Sequence, residues 1–330
     1  MSLIETSSRP PRCHRLAFRL PLDWDHLRGF LRTRAIPGVE AADDDGYRRV
    51  VALPPGRGWG EAGTEADAEA GAETGAETGA ETGAERGAEG GPTIGWLVVR
   101  PSRRVRAVGV GTLDVTLSAS LSSRRGECLS GVRRLLDLRA SPSLIASTLG
   151  ALVRDGHGVR VPGAFDGFEL AVRAILGQQI TVKAASTLSG RFAARFGAPV
   201  ATPFTDLDRA FPAAAAIAGR TVDDIASLGI IAARARSILA LAAAIDDRRL
   251  RLEPGQPVDD TVRALRLLPG IGDWTAQYIA MRALACPDAF PAGDLIVRRQ
   301  LGVATAAQAL ARAEAWRPWR AYAVMHLWRG

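Results

Sequence analysis

Cysteine is scarce in this sequence, and long apolar runs are missing from it. Three cysteines lie far apart among the 330 residues (Cys13, Cys128 and Cys286), which excludes a disulfide framework and the short spacings of cysteine-rich metal sites. No run of uncharged apolar residues is long enough to span a bilayer, and the first twenty residues carry four arginines without the apolar stretch of a secretory signal. We therefore expect a cytoplasmic protein with no membrane segment and no metal.

Lysine is almost absent, since Lys183 is the only lysine among the 42 basic residues. The charge is also unevenly distributed: residues 61–91 carry nine acids and one arginine, a net charge of −8, whereas the whole chain is +7. The remaining 299 residues therefore carry +15. An arginine-rich body of this charge favours a polyanionic partner, although arginine enrichment alone can also reflect a GC-rich genome.

The acidic stretch is repetitive. Residues 71–90 repeat a Gly-Ala-Glu-Thr pattern, which offers no side chains for a core and places glycine where it disfavours a helix. We interpret 61–91 as a disordered acidic insert within a domain that continues on both sides of it.

The residues around the insert indicate an α+β domain with an antiparallel sheet over 13–155. Alternating apolar runs predict strands, and apolar residues at helical spacing predict helices. The strands are expected at 16–20, 50–53, 94–99 and 115–119, and the helices at 25–34 and 126–138.

Beyond Pro162 the pattern changes to helices separated by short turns, which predicts an all-α domain over 161–330. Thr221 and Asp224 form a capping-box-like helix start. A final helix is expected over Pro318–Trp328, with the proline at its first position.

The most informative segment is the turn Pro269-Gly270-Ile271-Gly272, which lies between two predicted helices. The two glycines allow a tight turn, Ile271 can pack into the core, and the backbone amides near the next helix start can bind a phosphate oxygen. An ordinary helix–glycine–helix turn has the same local pattern. Trp274-Thr275-Ala276 follows at once, and the strongly basic body favours the phosphate-binding interpretation.

Four segments resemble the helix-hairpin-helix DNA glycosylases, and in particular the 3-methyladenine DNA glycosylase II (AlkA) group. They are LPLDWDHLRGFL (20–31), FDGFELAVRAILGQQITV (165–182), LPGIGDWTAQY (268–278) and WRPWRAYAVMHLW (316–328). The resemblance covers nearly the whole chain outside the insert and the first dozen residues. It implies a helix-hairpin-helix glycosylase domain after the α+β domain, and a DNA-binding hairpin that includes Gly270, Ile271, Gly272 and Thr275.

Asp294 precedes an apolar helical run, so the residue pattern alone fits a helix N-cap. The resemblance implies that Asp294 is the catalytic aspartate, whose carboxylate stabilises an oxocarbenium-like sugar and activates water. Strand-cleaving members of the family use a lysine in the helix after the hairpin. Asp273 and Trp274 occupy that stretch here, so we expect base removal without strand cleavage.

The resemblance also implies a pocket for a flipped base, lined by Phe30, Trp274, Tyr278 and Trp328. Electron-rich rings favour a cationic alkylated purine, although each ring taken alone also fits a hydrophobic core. The resemblance also implies a wedge residue, which inserts into the DNA base stack where the flipped nucleotide was. It is expected at Gln179, where the family's best-known member has leucine.

These features together predict a monomeric DNA glycosylase that removes alkylated purines of the 3-methyladenine type from double-stranded DNA in base-excision repair and leaves an abasic site. No cofactor is expected, apart from a monovalent cation at the hairpin when DNA is bound. Two alternatives stay open: a non-catalytic helix-hairpin-helix DNA-binding module, and a glycosylase for deaminated or oxidised bases.

Overall fold

The computed structural model describes residues 10–55, 91–102, 108–153 and 158–329. Most of the insert expected at 61–91 therefore lies outside the described residues. The strands within them form one antiparallel sheet in the order β1-β5-β4-β3-β2. Their bounds are β1 Arg12–Arg19, β2 Glu40–Asp43, β3 Gly46–Leu53, β4 Thr93–Pro101 and β5 Val110–Leu117.

The four strands expected from alternating apolar residues correspond to β1, β3, β4 and β5. Strand β2 was not expected, because four residues of sequence Glu-Ala-Ala-Asp have little β preference of their own. It forms by pairing with β3, in a register that places Glu40 opposite Arg49 and Asp43 opposite Gly46. Its place in the sheet thus comes from tertiary pairing.

Of the α-helices in the N-terminal half, the first two pack against this sheet, whereas the third packs against the core of the helical half. They are α1 (Trp24–Arg34), α2 (Arg125–Leu135) and α3 (Pro142–Leu149). Asp23 caps α1 by accepting a hydrogen bond from the His26 amide at 3.0 Å. The apolar side of α1 divides between two cores: Leu27 and Leu31 pack with the sheet, whereas Phe30 joins the core of the helical half.

The second half is helical, as the sequence predicts. Its helices are α4 (Gly167–Leu176), α5 (Val182–Phe196), α6 (Ala214–Ala218), α7 (Val222–Ala226), α8 (Ala232–Asp246), α9 (Val258–Arg266), α10 (Asp273–Arg282), α11 (Leu295–Leu301), α12 (Ala306–Ala313) and α13 (Arg320–Arg329). The capping box expected at Thr221 and Asp224 is present at the start of α7. None of the helices in the described part of the chain is long and apolar enough to cross a membrane.

The expected start of the last helix was wrong. Helix α13 begins at Arg320, and Pro318 lies in a turn before it rather than at its first position. A 3-10 helix over Glu314–Trp316 precedes this turn, and the Trp319 amide hydrogen-bonds to the Trp316 carbonyl at 2.7 Å. The chain therefore makes a separate turn before α13, whose far end carries Trp328.

A buried ion network joins the sheet to α4. Arg49 on β3 contacts Glu169 on α4 at 2.5 Å, and Arg173 on α4 contacts Glu40 on β2 at 2.7 Å. Burial by itself raises the pKa of Glu40, but the Arg173 and Arg49 cations outweigh that effect, so the pKa lies below its usual value. Arg173 also donates to the Arg34 carbonyl at 2.5 Å. The network therefore fixes the end of α1, beside the site described next.

Candidate active site

Asp294 is the N-cap of α11 and also the centre of a wider group of hydrogen bonds. Its Oδ1 accepts from the backbone amides of Ile296 at 2.9 Å and Val297 at 3.0 Å. This is the capping geometry that the bare sequence indicates. The side chain remains half-buried, so it is neither sealed in the core nor fully hydrated.

Two indole groups also hold the Asp294 carboxylate. Trp274 on α10 donates its Nε1–H to Oδ2 at 2.9 Å, and Trp328 on α13 donates its Nε1–H to Oδ1 at 3.2 Å. All four of these donors are uncharged, so they orient the carboxylate without neutralising it. Oδ1 accepts three of the four hydrogen bonds, whereas Oδ2 accepts only the one from Trp274. Oδ2 therefore keeps capacity to accept a further hydrogen bond, for example from water.

Three aromatic rings expected in the pocket lie side by side. Trp274 and Tyr278 are one turn apart on α10, and their rings stack with centroids 5.3 Å apart and planes 10° apart. Tyr278 and Trp328 follow at 6.2 Å with planes 44° apart. The structure thus brings Trp274, Tyr278 and Trp328 together with Asp294, although these residues come from three different helices.

Phe30 lies near this group but in a different setting. It is only 8% exposed and lines a cavity of about 350 Å³ between α1 and α13, which Trp328 and Met325 also line. The Arg34 guanidinium stands over the Phe30 ring, 3.7 Å from its centroid. One face of this ring is therefore covered by a cation rather than open to a base.

Two arginines that no sequence motif indicates, Arg34 and Arg282, complete the site. Arg282 is buried at the end of α10, lies 5.4 Å from the Tyr278 ring centroid and donates to the Tyr278 hydroxyl at 2.5 Å. Arg282 also donates to the carbonyls of Pro162 and Gly163 at 2.6 and 3.1 Å. Each arginine lies four residues after an expected pocket aromatic: Arg34 follows Phe30, and Arg282 follows Tyr278. This spacing places each arginine on the same helix face as its aromatic residue.

These guanidinium groups shift the ionisation of Tyr278. Burial by itself raises the pKa of its hydroxyl, but the cations of Arg282 and Arg34 outweigh that effect and lower the pKa below its ordinary value. Burial also lowers the pKa of the Arg34 guanidinium. The interior side of the aromatic group is therefore electropositive, which the aromatic residues alone did not indicate.

The hairpin between α9 and α10 has the form that its glycines predict. Gly270 has φ of +73°, and a Cβ at this position would lie 2.3 Å from the Ser237 hydroxyl oxygen on α8. Gly272 is exposed, and an added Cβ there would meet no atom within 4 Å. Ile271 is 4% exposed and packs in the helical core. At Gly270 and Gly272 the exposed surface of the turn is consequently backbone, and the exposed Pro269 lies directly before it.

Thr275 and Gln179, also expected at the DNA surface, differ in exposure. Thr275 is 3% exposed, and its hydroxyl accepts from the Gln178 side chain at 3.0 Å. Its backbone amide lies in the first turn of α10, where N–H groups have no helical partner. Gln179 is exposed between α4 and α5, with φ of 55°.

The described residues contain no group of three or more His, Cys, Asp or Glu side chains positioned to hold a metal ion. The site consists instead of one capped carboxylate, stacked rings and a glycine hairpin. Together with the fold, these features define a helix-hairpin-helix protein.

Comparison with known proteins agrees with this class. A family model described as the AlkA N-terminal domain matches residues 13–74 and 69–166. A second, described as HhH-GPD superfamily base excision DNA repair protein, matches residues 172–320. The chain therefore belongs to the HhH-GPD superfamily of base excision DNA repair proteins, in a branch that carries an AlkA N-terminal domain. The family resemblance and the fold class predicted from the sequence motifs are confirmed.

Individual relatives cover most of the chain. Escherichia coli DNA-3-methyladenine glycosylase 2 is 30% identical and covers 95% of both chains. A Mycobacterium tuberculosis relative, named probable bifunctional transcriptional activator/DNA repair enzyme AlkA, is 36% identical over 95% of this chain, which spans only 56% of that relative's length. Among solved structures, the 3-methyladenine DNA-glycosylase from Archaeoglobus fulgidus superposes with a TM-score of 0.69 at 19% identity, covering 95% of this chain and 96% of that one.

Proposed function

We propose that this protein is a monofunctional DNA glycosylase that removes alkylated purines from double-stranded DNA. It flips the damaged nucleotide out of the duplex, hydrolyses the N-glycosidic bond and leaves an abasic site. The observation that carries this proposal is the Asp294 carboxylate, held by two backbone amides and two indoles beside the stacked rings. A module that only binds phosphate needs Asp294 as a helix cap, but it needs neither the two indole donors on this carboxylate nor the stacked rings beside it.

Asp294 acts on the sugar. Breaking the glycosidic bond develops positive charge on the deoxyribose, and a carboxylate held nearby stabilises that charge. Oδ2, which accepts only the Trp274 indole, is the oxygen that orients the attacking water and takes its proton. Because Asp294 is fixed before the substrate arrives, little reorganisation is needed during the reaction.

The aromatic rings act on the base. A purine alkylated at N3 or N7 is positively charged, and its glycosidic bond is weakened, so less help is needed for its departure. A ring face favours such a cation by roughly 0.5–2 kcal/mol for a good contact. Trp274 and Trp328 have a second role, because the same indoles that face the base orient Asp294.

The hairpin and the wedge residue act on the DNA backbone and the stack. The exposed backbone at Gly270 and Gly272 and the free amides at the start of α10 bind phosphate oxygens. Main-chain carbonyls of the same turn would hold a monovalent cation once DNA is bound. Gln179 fills the space that the flipped nucleotide leaves, and the protein acts as a monomer.

Strand cleavage is not part of the proposed activity. A glycosylase that also cuts the strand forms a Schiff base between a lysine amine and the sugar. The sole lysine of the chain, Lys183, is exposed at the start of α5, whereas α10 begins with Asp273 and Trp274. Water is therefore the nucleophile, and the product is an intact strand with an abasic site.

The arginines beside the pocket favour a second candidate substrate, a deaminated purine. Arg34 and Arg282 place positive charge near Phe30 and Tyr278, which opposes binding of a cationic base. A guanidinium donates hydrogen bonds, and a deaminated purine presents a carbonyl oxygen that accepts them. Hypoxanthine is the simplest base of this kind.

A panel of duplexes with one defined lesion each tests the proposal and separates the two substrate classes. The lesions are 3-methyladenine, 7-methylguanine, hypoxanthine and an oxidised guanine, and the readout is the single-turnover rate of base release. We expect the methylated purines to be released faster than hypoxanthine. We also expect Arg34→Ala to raise the ratio of the 3-methyladenine rate to the hypoxanthine rate. Binding of all duplexes without release of any base would leave the non-catalytic module as the correct description.

A further inference from the structure

Gln178 connects two parts of the proposed DNA-binding surface. It lies between α4 and α5, directly before Gln179, and is half-buried. Its side-chain Nε2 donates to the Gly270 carbonyl at 2.9 Å and to the Thr275 hydroxyl at 3.0 Å. One primary amide thus uses both of its N–H groups on the hairpin and on the first turn of α10.

The two acceptors belong to functionally different segments. Gly270 is the exposed, left-handed glycine of the hairpin, and it packs tightly against Ser237 on α8. Thr275 is buried and directly follows Trp274, whose indole holds Asp294. Gln178 therefore contacts both the hairpin that is proposed to bind phosphate and helix α10, which carries the Trp274 and Tyr278 rings.

The backbone of Gln178 is also fixed. The Arg234 guanidinium on α8 donates a hydrogen bond to the Gln178 carbonyl. The next residue, Gln179, has φ of 55°, a left-handed conformation that is unfavourable for a residue with a Cβ. This conformation persists only where neighbouring contacts impose it, and the contacts of Gln178 on both sides supply that restraint.

We propose that Gln178 is a positioning residue for base flipping, which sets the place of Gln179 relative to the hairpin backbone. The inference rests on the proposed function, because it takes Gln179 as the wedge. A wedge enters the stack effectively when it is held in advance relative to the backbone that grips the DNA. If it is free to move, the protein must order it during flipping, which costs conformational entropy.

This role predicts an effect that depends on base pairing. Flipping costs most when the lesion is well paired and least when it has no partner base. Loss of the Gln178 donor should therefore slow release of a paired lesion more than release of the same lesion opposite an abasic residue. A merely structural role would slow both reactions by the same factor.

The test uses Gln178→Met, which keeps the side-chain length but cannot donate, together with Gln178→Ala. Gln256→Ala is the matched control, because Gln256 is a half-buried glutamine in the turn before α9, at the opposite end of that helix from the hairpin. Single-turnover release is measured for one alkylated purine opposite its normal partner and opposite an abasic residue. A 2-aminopurine next to the lesion reports unstacking by its fluorescence, and thermal melting confirms that each variant folds.

We expect both Gln178 variants to release the paired lesion about tenfold more slowly, as the loss of one or two net hydrogen bonds implies. Release of the unpaired lesion and the Gln256→Ala rates should stay within about twofold of wild type. The double variant Gln178→Met/Gln179→Ala should be no slower than Gln179→Ala alone, because the two residues act in one step.

Equal slowing on both substrates, or no slowing on either, would overturn the positioning role. Independent, additive effects in the double variant would do the same. Failure of the proposed function is a separate result, because it would already show as absence of base release by the wild-type protein.

Discussion

Replacing Asp294 with asparagine separates its structural role from its chemical one. Asparagine is as good an N-cap as aspartate, so its oxygen retains the bonds from the Ile296 and Val297 amides and from the Trp328 indole. In the wild-type protein the Trp274 N–H donates to Oδ2 at 2.9 Å. In the variant the asparagine NH₂ group takes the place of Oδ2 and faces this N–H. Two donors face each other there, and we expect Asp294→Asn to cost about 1–3 kcal/mol of stability and to leave the fold intact.

The effect on catalysis should be larger. A unit charge about 4 Å from the developing sugar cation contributes about 4 kcal/mol at an effective dielectric constant of about 20. Loss of that charge corresponds to a decrease of about a thousandfold in the rate of the chemical step. The assay is single-turnover base release from methylated duplex DNA, with binding measured separately by fluorescence anisotropy.

Asp166→Asn is the matched control, because Asp166 caps α4 by accepting from the Glu169 amide at 2.7 Å. It tests removal of a capping carboxylate in another helix of the same domain and should leave the chemical rate near that of wild type. Asp294→Asn with a near-native rate and normal binding would show that Asp294 is only a cap, and the reasoning about its charge would be refuted.

Three further predictions concern the hairpin and the buried charges. Gly270→Ala should weaken DNA binding and lower the free energy of unfolding by at least about 1 kcal/mol, because the φ of +73° at Gly270 and the Ser237 hydroxyl both oppose a Cβ. Gly272→Ala is the control, because a Cβ at that position meets no atom within 4 Å. Anisotropy titrations and melting curves that are equal for the two variants would contradict this prediction. In the wild-type protein the Arg49 guanidinium lies 2.5 Å from the Glu169 carboxylate, and Glu169→Gln removes this nearest carboxylate. The variant should lower the free energy of unfolding by about 3–5 kcal/mol, measured by urea titration. A loss below about 1 kcal/mol would mean that the buried ion network contributes little to stability. Burial raises the pKa of Asp137 to about 6, above its value in the unfolded chain. The free energy of unfolding should therefore fall as the pH rises through the folded pKa, by about 1.4 kcal/mol from pH 5 to pH 7.5. In Asp137→Asn that part of the pH dependence should vanish, because asparagine does not titrate. The amide oxygen can keep the hydrogen bonds that one carboxylate oxygen accepts from Tyr322 at 2.7 Å and Val161 at 3.2 Å. An unchanged dependence of the unfolding free energy on pH would exclude Asp137 as its source.

Features with local sequence patterns could be predicted. The glycine hairpin, the capping box at Thr221 and four of the strands each depend on residues close together in the chain, so spacing and residue type were sufficient. The position of Asp294 before a helix followed from its capping preference. Its association with Trp274 and Trp328 did not, because those rings come from other helices, and only the family resemblance placed them together.

Features that depend on tertiary packing were missed. Strand β2 exists through its pairing with β3, and the ion network joins Arg49 to Glu169, which lie 120 positions apart. Spacing cannot reveal such partners. Arg34 and Arg282 are intermediate cases, because their positions one turn after Phe30 and Tyr278 placed them on the right helix faces. What the spacing could not tell is that both guanidinium groups turn towards the rings rather than towards solvent.

The most direct test of the central claim is to follow both products of one reaction with duplex DNA that carries a single 3-methyladenine. The purified wild-type protein should release the free methylated purine, detected by mass spectrometry. The DNA strand should stay unbroken until alkali cleaves it at the new abasic site. No free base, or a strand cut without alkali, would contradict hydrolysis directed by Asp294.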